Sequence, residues 1–346
     1  MIHTENTRCN NKSSRKKAEK TKPPDFRYVN GRRYHNEPEV PYWLPSDLDE
    51  IDRQQQQHYC GKHIFGSNIS APVEEFLIDG CKVLDVGCGA GIWLLEMATE
   101  YKKSKFFGVD MSPVFPTHIK PFNTNFIKAN MLNGLTLPSN EFDYIHISFM
   151  NDSFTNDQWQ NIVIPELVRL LKPDGWLEFY DFDTIQLNGG PLIERFFSTT
   201  RQLLRDVGVD PRAPTLFKQW LSPYTCLKDI NELSVNPCMG TWKCEVENTS
   251  NIGAGGDNST KTRKQHKNDN FLGKSVDVVR KEVKARGLVR ENCKLFYVLY
   301  AEELSKLMGI SQENYLKLLE ECFEQEMEKY ETRMVFTRVI CRKSEV

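Results

Sequence analysis

A short apolar run, Lys82 to Val86, ends in three glycines at positions 87, 89 and 91 and passes directly into an amphipathic stretch, Ile92 to Glu100. A strand that turns sharply into a helix needs positive φ and close packing, and glycine supplies both at least cost. The bare turn also lets a ligand approach the backbone, and the first turn of the helix presents unpaired N–H groups to it. The spacing predicts a helix with Ile92, Leu95 and Met97 turned inward. Similar alternation continues to about residue 187: "KFFGVD", "TNFIKAN", "FDYIHISFM" and "GWLEFYDFD" read as strands, and "NDQWQNIVIPELVRLLKP" as a helix stopped by Pro173. Short apolar runs between amphipathic helices predict a parallel sheet covered on both faces, with right-handed crossovers.

Three ligand classes use such a glycine turn. A dinucleotide fingerprint has the spacing G-x-G-x-x-G, with pyrophosphate on the helix N-terminus; here the spacing is G-x-G-x-G. A nucleoside triphosphate loop has Lys and Ser/Thr after its glycines, where this chain has Ile92 and Trp93. The third class is S-adenosylmethionine, which carries a sulfonium, an ammonium, a carboxylate and a ribose but no phosphate. Asp85, just before the turn, suits a net-cationic ligand and disfavours a pyrophosphate. Asp110, closing "FFGVD", is placed to accept both ribose hydroxyls in charge-assisted hydrogen bonds. NAD sites share that last feature, so the glycine spacing and Asp85 carry the discrimination.

The motifs "VLDVGCGAG", "FFGVDMSP", "NFIKANMLNGLTLPSNEFDYIHISF" and "ELVRLLKPDGWLEFYD", in this order, resemble the class I (Rossmann-like) S-adenosylmethionine-dependent methyltransferases. The wider stretch from "NGRRYHN" to "RVICRK" is similar to fungal methyltransferase-domain proteins, some of them related to regulators of secondary metabolism, and departs from them at 246–275. The resemblance implies an α/β fold: a doubly wound, mostly parallel seven-stranded sheet with an antiparallel last strand, an N-terminal helix and a helical lid. It implies S-adenosyl-L-methionine as cofactor. Asp85, Gly87, Gly89 and Gly91 would line its methionine and ribose side. Asp110 would hold the ribose, and Met111 would cover the adenine. Asn130 and Met131 would contact the adenine ring, and Ser148 and Phe149 would sit near the transferred methyl. Asn130 stands where the family often has Asp.

Methyl transfer from a sulfonium is an in-line displacement, in which positioning alone contributes about 7–11 kcal/mol. An amine, thiolate or enolate acceptor needs no dedicated base, whereas a hydroxyl does. The weak candidates are Tyr180 and Asp181 at the end of the fifth strand and His146 within the fourth. His146 also suits a packed core histidine, Glu178 reads as structural, and Asp152 is a lesser candidate. His58 and His63 on the N-terminal helix are within reach of the cleft but suit packing or surface roles.

Residues 1–25 form a basic tail, with seven Lys/Arg and too little apolar matter to order it. Its "RKKAEKTK" suits either a solvated tail or a nuclear-import signal. Residues 26–70 read as an N-terminal helical extension, with Ser46 as N-cap and apolar Leu48, Ile51 and Tyr59. Residues 71–187 are the cofactor-binding core. Residues 188–346 supply the lid and the last strands, "LKDINELSVNPCMG" and "MVFTRVICRK", around a flexible insertion, 246–275. The lid aromatics Phe196, Phe197, Phe217, Trp220 and Tyr224 suit either an acceptor pocket or helix packing.

Ten cysteines without a C-x-x-C pair predict reduced thiols in an intracellular, cytoplasmic or nuclear protein and no metal centre, Cys238 and Cys244 included. With a net charge of −2, no basic stripe with interleaved aromatics and no apolar run of the roughly 20 residues a span requires, neither a nucleic-acid nor a membrane partner is expected. A small-molecule acceptor is favoured over a protein one. The alternative is a catalytically weak or inactive S-adenosylmethionine-binding regulator that acts through protein partners. A nicotinamide oxidoreductase is the remaining rival.

Overall fold

The computed structural model describes residues 24–37, 40–239, 287–327 and 329–345; nearly all of the basic tail and the whole 246–275 insertion lie outside them. The chain opens with a hairpin, β1 (Phe26–Val29) and β2 (Arg32–His35), followed by α1 (Leu48–Phe65) and α2 (Glu74–Asp79). The alternating region gives β3 (Lys82–Val86), α3 (Ile92–Glu100), β4 (Lys105–Asp110), β5 (Thr124–Lys128) and β6 (Phe142–Ser148). Then come α4 (Asn156–Gln158), a π turn (Trp159–Val163), α5 (Ile164–Leu170) and β7 (Leu171–Leu187). Pro165 has no N–H to donate, and the wide turn just before it accommodates the lost hydrogen bond. The helix stops at Leu170, before Pro173, because Leu171 already pairs with Phe142 in the sheet.

After β7 follow α6 (Pro191–Asp206), α7 (Ala213–Leu221) and β8 (Leu227–Val235), then α8 (residues 287–299), α9 (Ala301–Leu307), α10 (Gln312–Glu321) and β9 (Arg333–Lys343). The seven-stranded sheet runs β5-β4-β3-β6-β7-β9-β8. Its first five strands are parallel, and β9 is antiparallel to both its neighbours. This is the expected α/β, doubly wound, mostly parallel sheet with an antiparallel last strand. The order reverses between β3 and β6, and at such a switch point a crevice opens outside the carboxyl ends of the strands.

Two core layers flank the sheet. One packs Trp159, Leu167, Phe179, Phe217 and Leu221 beneath β6 and β7. The other packs Leu77, Val83, Trp93, Leu94 and Met97. The inward face of α3 is thus Trp93, Leu94, Met97 and Ala98, with Ile92 and Leu95 only half-buried. A third cluster joins α6, α8, α9 and α10 to α1 through Cys60, Phe196, Phe197, Tyr297, Tyr315 and Phe323. Burial of each such side chain contributes roughly 1.5–3 kcal/mol. Phe196, Phe217 and Trp220 are therefore packing residues of these clusters, and Phe197, which packs in the third, also lines a smaller cavity beside the main cleft.

The helix α1 departs most from expectation. Its N-cap is Asp47, whose side chain accepts from the Glu50 amide, rather than Ser46. Leu48 is 74% exposed and Tyr59 41%, whereas Glu50, Arg53, Gln57 and Cys60 are buried. The helix turns a polar face inward. The segment after it is tied down by Glu178, fully buried, which accepts from the amides of Ser70 and Ala71 (both 2.9 Å) and from the Tyr144 hydroxyl (3.0 Å). Arg338 completes the anchor with bonds to Ser70 Oγ and Ser67 O, both 2.9 Å.

Candidate active site

The cleft lies where β3, β4, β5 and β6 end, with α1 and the segment before it as the opposite wall. Its floor is the glycine turn. Gly87, Gly89 and Gly91 have φ of +71°, +53° and +77°, a region costly to side-chain-bearing residues. The amides of Gly87 and Cys88 both bond to Val109 O (2.8 and 3.1 Å), which pins the turn against β4. A Cβ on Gly89 would stand 2.7 Å from Gln54 Oε1, so α1 closes directly over the turn.

Asp110 ends β4 with each carboxylate oxygen holding one backbone amide: Gly89 N to Oδ2 and Ser112 N to Oδ1, both 2.8 Å. Each oxygen keeps a lone pair for a ligand. Burial pushes this carboxyl up to about 6, against the pull of those amides. Asp85 accepts from His146 Nδ1 at 2.8 Å, and the imidazole stacks on Trp93 with ring centroids 3.9 Å apart. Asn130 Oδ1 caps the turn of Met131–Asn133 through Leu132 N (3.0 Å). At the exit of β6, Phe149 takes φ +54°, its amide bonded to Tyr180 O at 3.0 Å. A bulky side chain in that region is held there by its surroundings at a cost of about 1–3 kcal/mol.

Asp85, Gly87, Gly89, Asp110, Met111, Asn130, Met131, Ser148 and Phe149 all line this one cleft. Gly91 does not; it is the N-cap of α3 and packs against the Phe126 ring. The three weak catalytic candidates stand behind the wall. His146 is 2% exposed and paired as described. Asp181, 1% exposed, accepts from the amides of Met150 (2.7 Å), Asn151 (2.8 Å) and Phe182 (2.9 Å), which shapes the loop after β6. The Tyr180 hydroxyl is buried against Gly61 with no hydrogen-bond partner among the described residues.

Of the residues on the opposite wall, the sequence reading had named only His58 and the lesser candidate Asp152. Glu50, Arg53, Gln54, Gln57 and His58 of α1 face the cleft, as do Tyr42 and Asp152. Arg53 donates to both oxygens of Glu50 (2.8 and 2.7 Å) and to Asn292 Oδ1 (3.3 Å). His58 bonds Glu96 at 2.7 Å, and burial lowers its pKa, so the ring is neutral near pH 7. The signal was present: polar residues at 50, 53, 54, 57 and 58 recur at helical spacing.

Residues 83–175 match the family model of a methyltransferase domain. The chain carries a class I S-adenosylmethionine-dependent methyltransferase domain. Methyltransferase str3 of Strobilurus tenacellus is 28% identical over 207 residues, 58% of this chain and 72% of that protein. Secondary metabolism regulator laeA of Aspergillus niger is 32% identical over 169 residues, 47% of this chain and 43% of that protein. The chain spans half or less of the length of the relatives that bear the regulator name. Among solved structures, a Haemonchus contortus phospholethanolamine N-methyltransferase 2 in complex with phosphomonomethylethanolamine and S-adenosylhomocysteine covers 89% of this chain and 62% of its own, at 12% identity and a TM-score of 0.43.

The methyltransferase domain's cleft fits its cofactor by charge. Arg53 is the only Lys or Arg among its described lining residues and is neutralised by Glu50, while Asp85, Asp110 and Asp152 are all acidic. That balance favours a sulfonium and repels phosphate. No helix among the described residues is long and apolar enough to cross a membrane.

Proposed function

We propose that this chain methylates a small molecule with S-adenosylmethionine, and that the acidic, phosphate-excluding cleft is where it does so. When bound, S-adenosylmethionine supplies an electrophilic methyl group on sulfur. Asp110 accepts the ribose hydroxyls through its two remaining lone pairs. Asn130 and Met131 hold the adenine edge and face, with Met111 covering the ring. Asp85 and the Gly87–Gly89 backbone take the cationic amino-acid side, and Gly91 shapes the turn from behind. Ser148 and Phe149 stand at the reacting carbon. The docked face of α1 excludes water, so that the alignment of acceptor and methyl is kept.

The charge balance of the cleft carries this reading. Support for a small acceptor comes from the walls of the cleft, which include residues of α1, α8 and the segment before α1. The test is calorimetric titration with S-adenosylmethionine and S-adenosylhomocysteine, followed by a small-molecule screen with labelled methyl donor. Micromolar-range binding with turnover supports the proposal, whereas absence of binding or preferential binding of NADH overturns it. The name borne by relatives such as that of Aspergillus niger supports a second reading, a regulator that binds the cofactor and acts through protein partners. Tight binding with no turnover on any acceptor favours that reading.

A further inference from the structure

Beyond the cofactor-binding rim, the cleft continues to Asp152, in the loop after β6. Asp152 is 8% exposed and lines the cleft. The other titratable groups on this wall are engaged: Asp85 with His146, both oxygens of Asp110 with amides, Glu50 with Arg53, and His58 with Glu96. Asp152 has only a long bond from the Tyr300 hydroxyl (3.3 Å) and its own backbone amide. The rings of Phe149, Phe182 and Phe296 line the space beside it, with Phe182 centred 6.3 Å from Phe149 and 6.5 Å from Phe296.

A second cavity abuts the first. It shares Gln57, Phe182 and Phe296 with the cleft and is walled beyond them by Cys60, Cys293 and Phe336. Burial raises the pKa of both thiols, so they stay neutral, and the chamber is mainly apolar, with Gln57, Thr184 and Asn292 as its polar lining. A carboxylate on the cleft wall and a mainly apolar chamber adjoining the cleft suit an amphipathic ligand.

Resting on the function proposed above, we infer that the acceptor is a small apolar molecule bearing a hydroxyl group, and that Asp152 takes the hydroxyl proton. The acceptor O–H bond breaks and its proton passes to the Asp152 carboxylate. The oxygen forms a bond to the methyl carbon as the bond from that carbon to sulfur breaks, with the electron pair left on sulfur. Asp152 then releases the proton to solvent. A hydroxyl acceptor is favoured because it is the acceptor that needs a base, whereas a neutral amine attacks without one. Burial pushes the Asp152 carboxyl up to about 6, so it is ionised at neutral pH yet basic enough to accept a proton. The charged and titratable groups that act on it are Arg53 and Glu50 from α1, Tyr42 before α1, Asp181 from β7, and Tyr300 between α8 and α9.

The test uses the full chain and a naphthol as fluorescent probe. Without cofactor, the naphthol should bind the native protein at least tenfold more tightly than Asp152→Asn, and its affinity should fall as pH drops through about 6 in the native protein only. Equal binding to both proteins, or the same pH profile in both, overturns the inference. With methyl donor, Asp152→Asn should lower kcat on the naphthol a hundredfold or more while S-adenosylhomocysteine affinity is kept. A naphthylamine methylated faster than the naphthol overturns the hydroxyl assignment. A naphthol sulfonate that binds as well as the naphthol overturns the apolar chamber. Failure of S-adenosylhomocysteine to bind the native protein refutes the underlying methyltransferase function instead, and the cofactor-free naphthol result is read separately.

Discussion

Asp110→Asn tests the ribose assignment most directly. The carboxylate already organises the turn by holding Gly89 N and Ser112 N at 2.8 Å each. Asn keeps one acceptor oxygen, so one of the two amide bonds survives while its NH2 cannot accept from the other amide, whereas Ala would leave both amides without this partner. What Asn removes is the charge behind two ribose hydrogen bonds. A bond to a charged acceptor contributes roughly 1.5–3 kcal/mol against roughly 0.5–1.5 for a neutral one. The loss over two bonds is about 2–3 kcal/mol, or roughly 30- to 150-fold in affinity for S-adenosylhomocysteine by calorimetry. The same residue predicts a pH signature. With its carboxyl raised to about 6, cofactor affinity should fall by up to about tenfold per pH unit below that value as the acceptor becomes protonated. The ligand-free protein responds with the opposite sign: because burial favours the protonated form, the contribution of Asp110 to stability is full below its ordinary value and is lost as pH rises through about 6. The ligand-induced rise in Tm should therefore be larger at pH 7 than at pH 5, and in Asp110→Asn this dependence should disappear. Affinity within threefold of the native protein, or a flat native profile across that range, refutes the ribose assignment.

Gly91→Val should destabilise by about 2–4 kcal/mol, since its Cβ would meet Phe126 Cε1 at 2.7 Å at φ +77°; a urea midpoint equal to the native one counts against it. Tyr180→Phe should leave turnover intact and hold or raise stability by up to about 2 kcal/mol, because the hydroxyl is buried with no hydrogen-bond partner among the described residues; a large loss of kcat would restore Tyr180 as a catalytic group. Glu178→Gln should cost about 3 kcal/mol or more, since it weakens the anchor after α1 and leaves the Arg338 charge uncompensated. Cofactor affinity should weaken with it if α1 is the cleft's wall, and unchanged affinity in the folded variant would separate the two.

The strand–turn–helix unit at Lys82–Glu100 was legible because each part is dictated locally: apolar strand residues, glycines where φ must be positive, and a helix that starts as the glycines end. For the same reason, nine of the ten residues assigned to cofactor contact lie on one cleft, since the carboxyl ends of neighbouring parallel strands meet by construction. Gly91 failed that test because a helix N-cap can serve the turn from behind. The inward set of α3 shifted to Trp93 and Leu94 for want of any sequence signal of where the sheet lies relative to the helix.

The sequence by itself determined the parallel strand–helix alternation and the acid-and-glycine turn, because these follow from local backbone preference. Tertiary structure alone decided what faces that turn. The helix α1 buries Glu50, Arg53 and Gln57 and leaves Leu48 outside, since its neighbour is a polar cleft rather than an apolar core. Likewise only the fold brings Asp152, Tyr300 and Phe296 together across 148 residues of chain. Hydrophobic periodicity shows that a helix has two faces; the chemistry of its neighbour decides which of them turns inward.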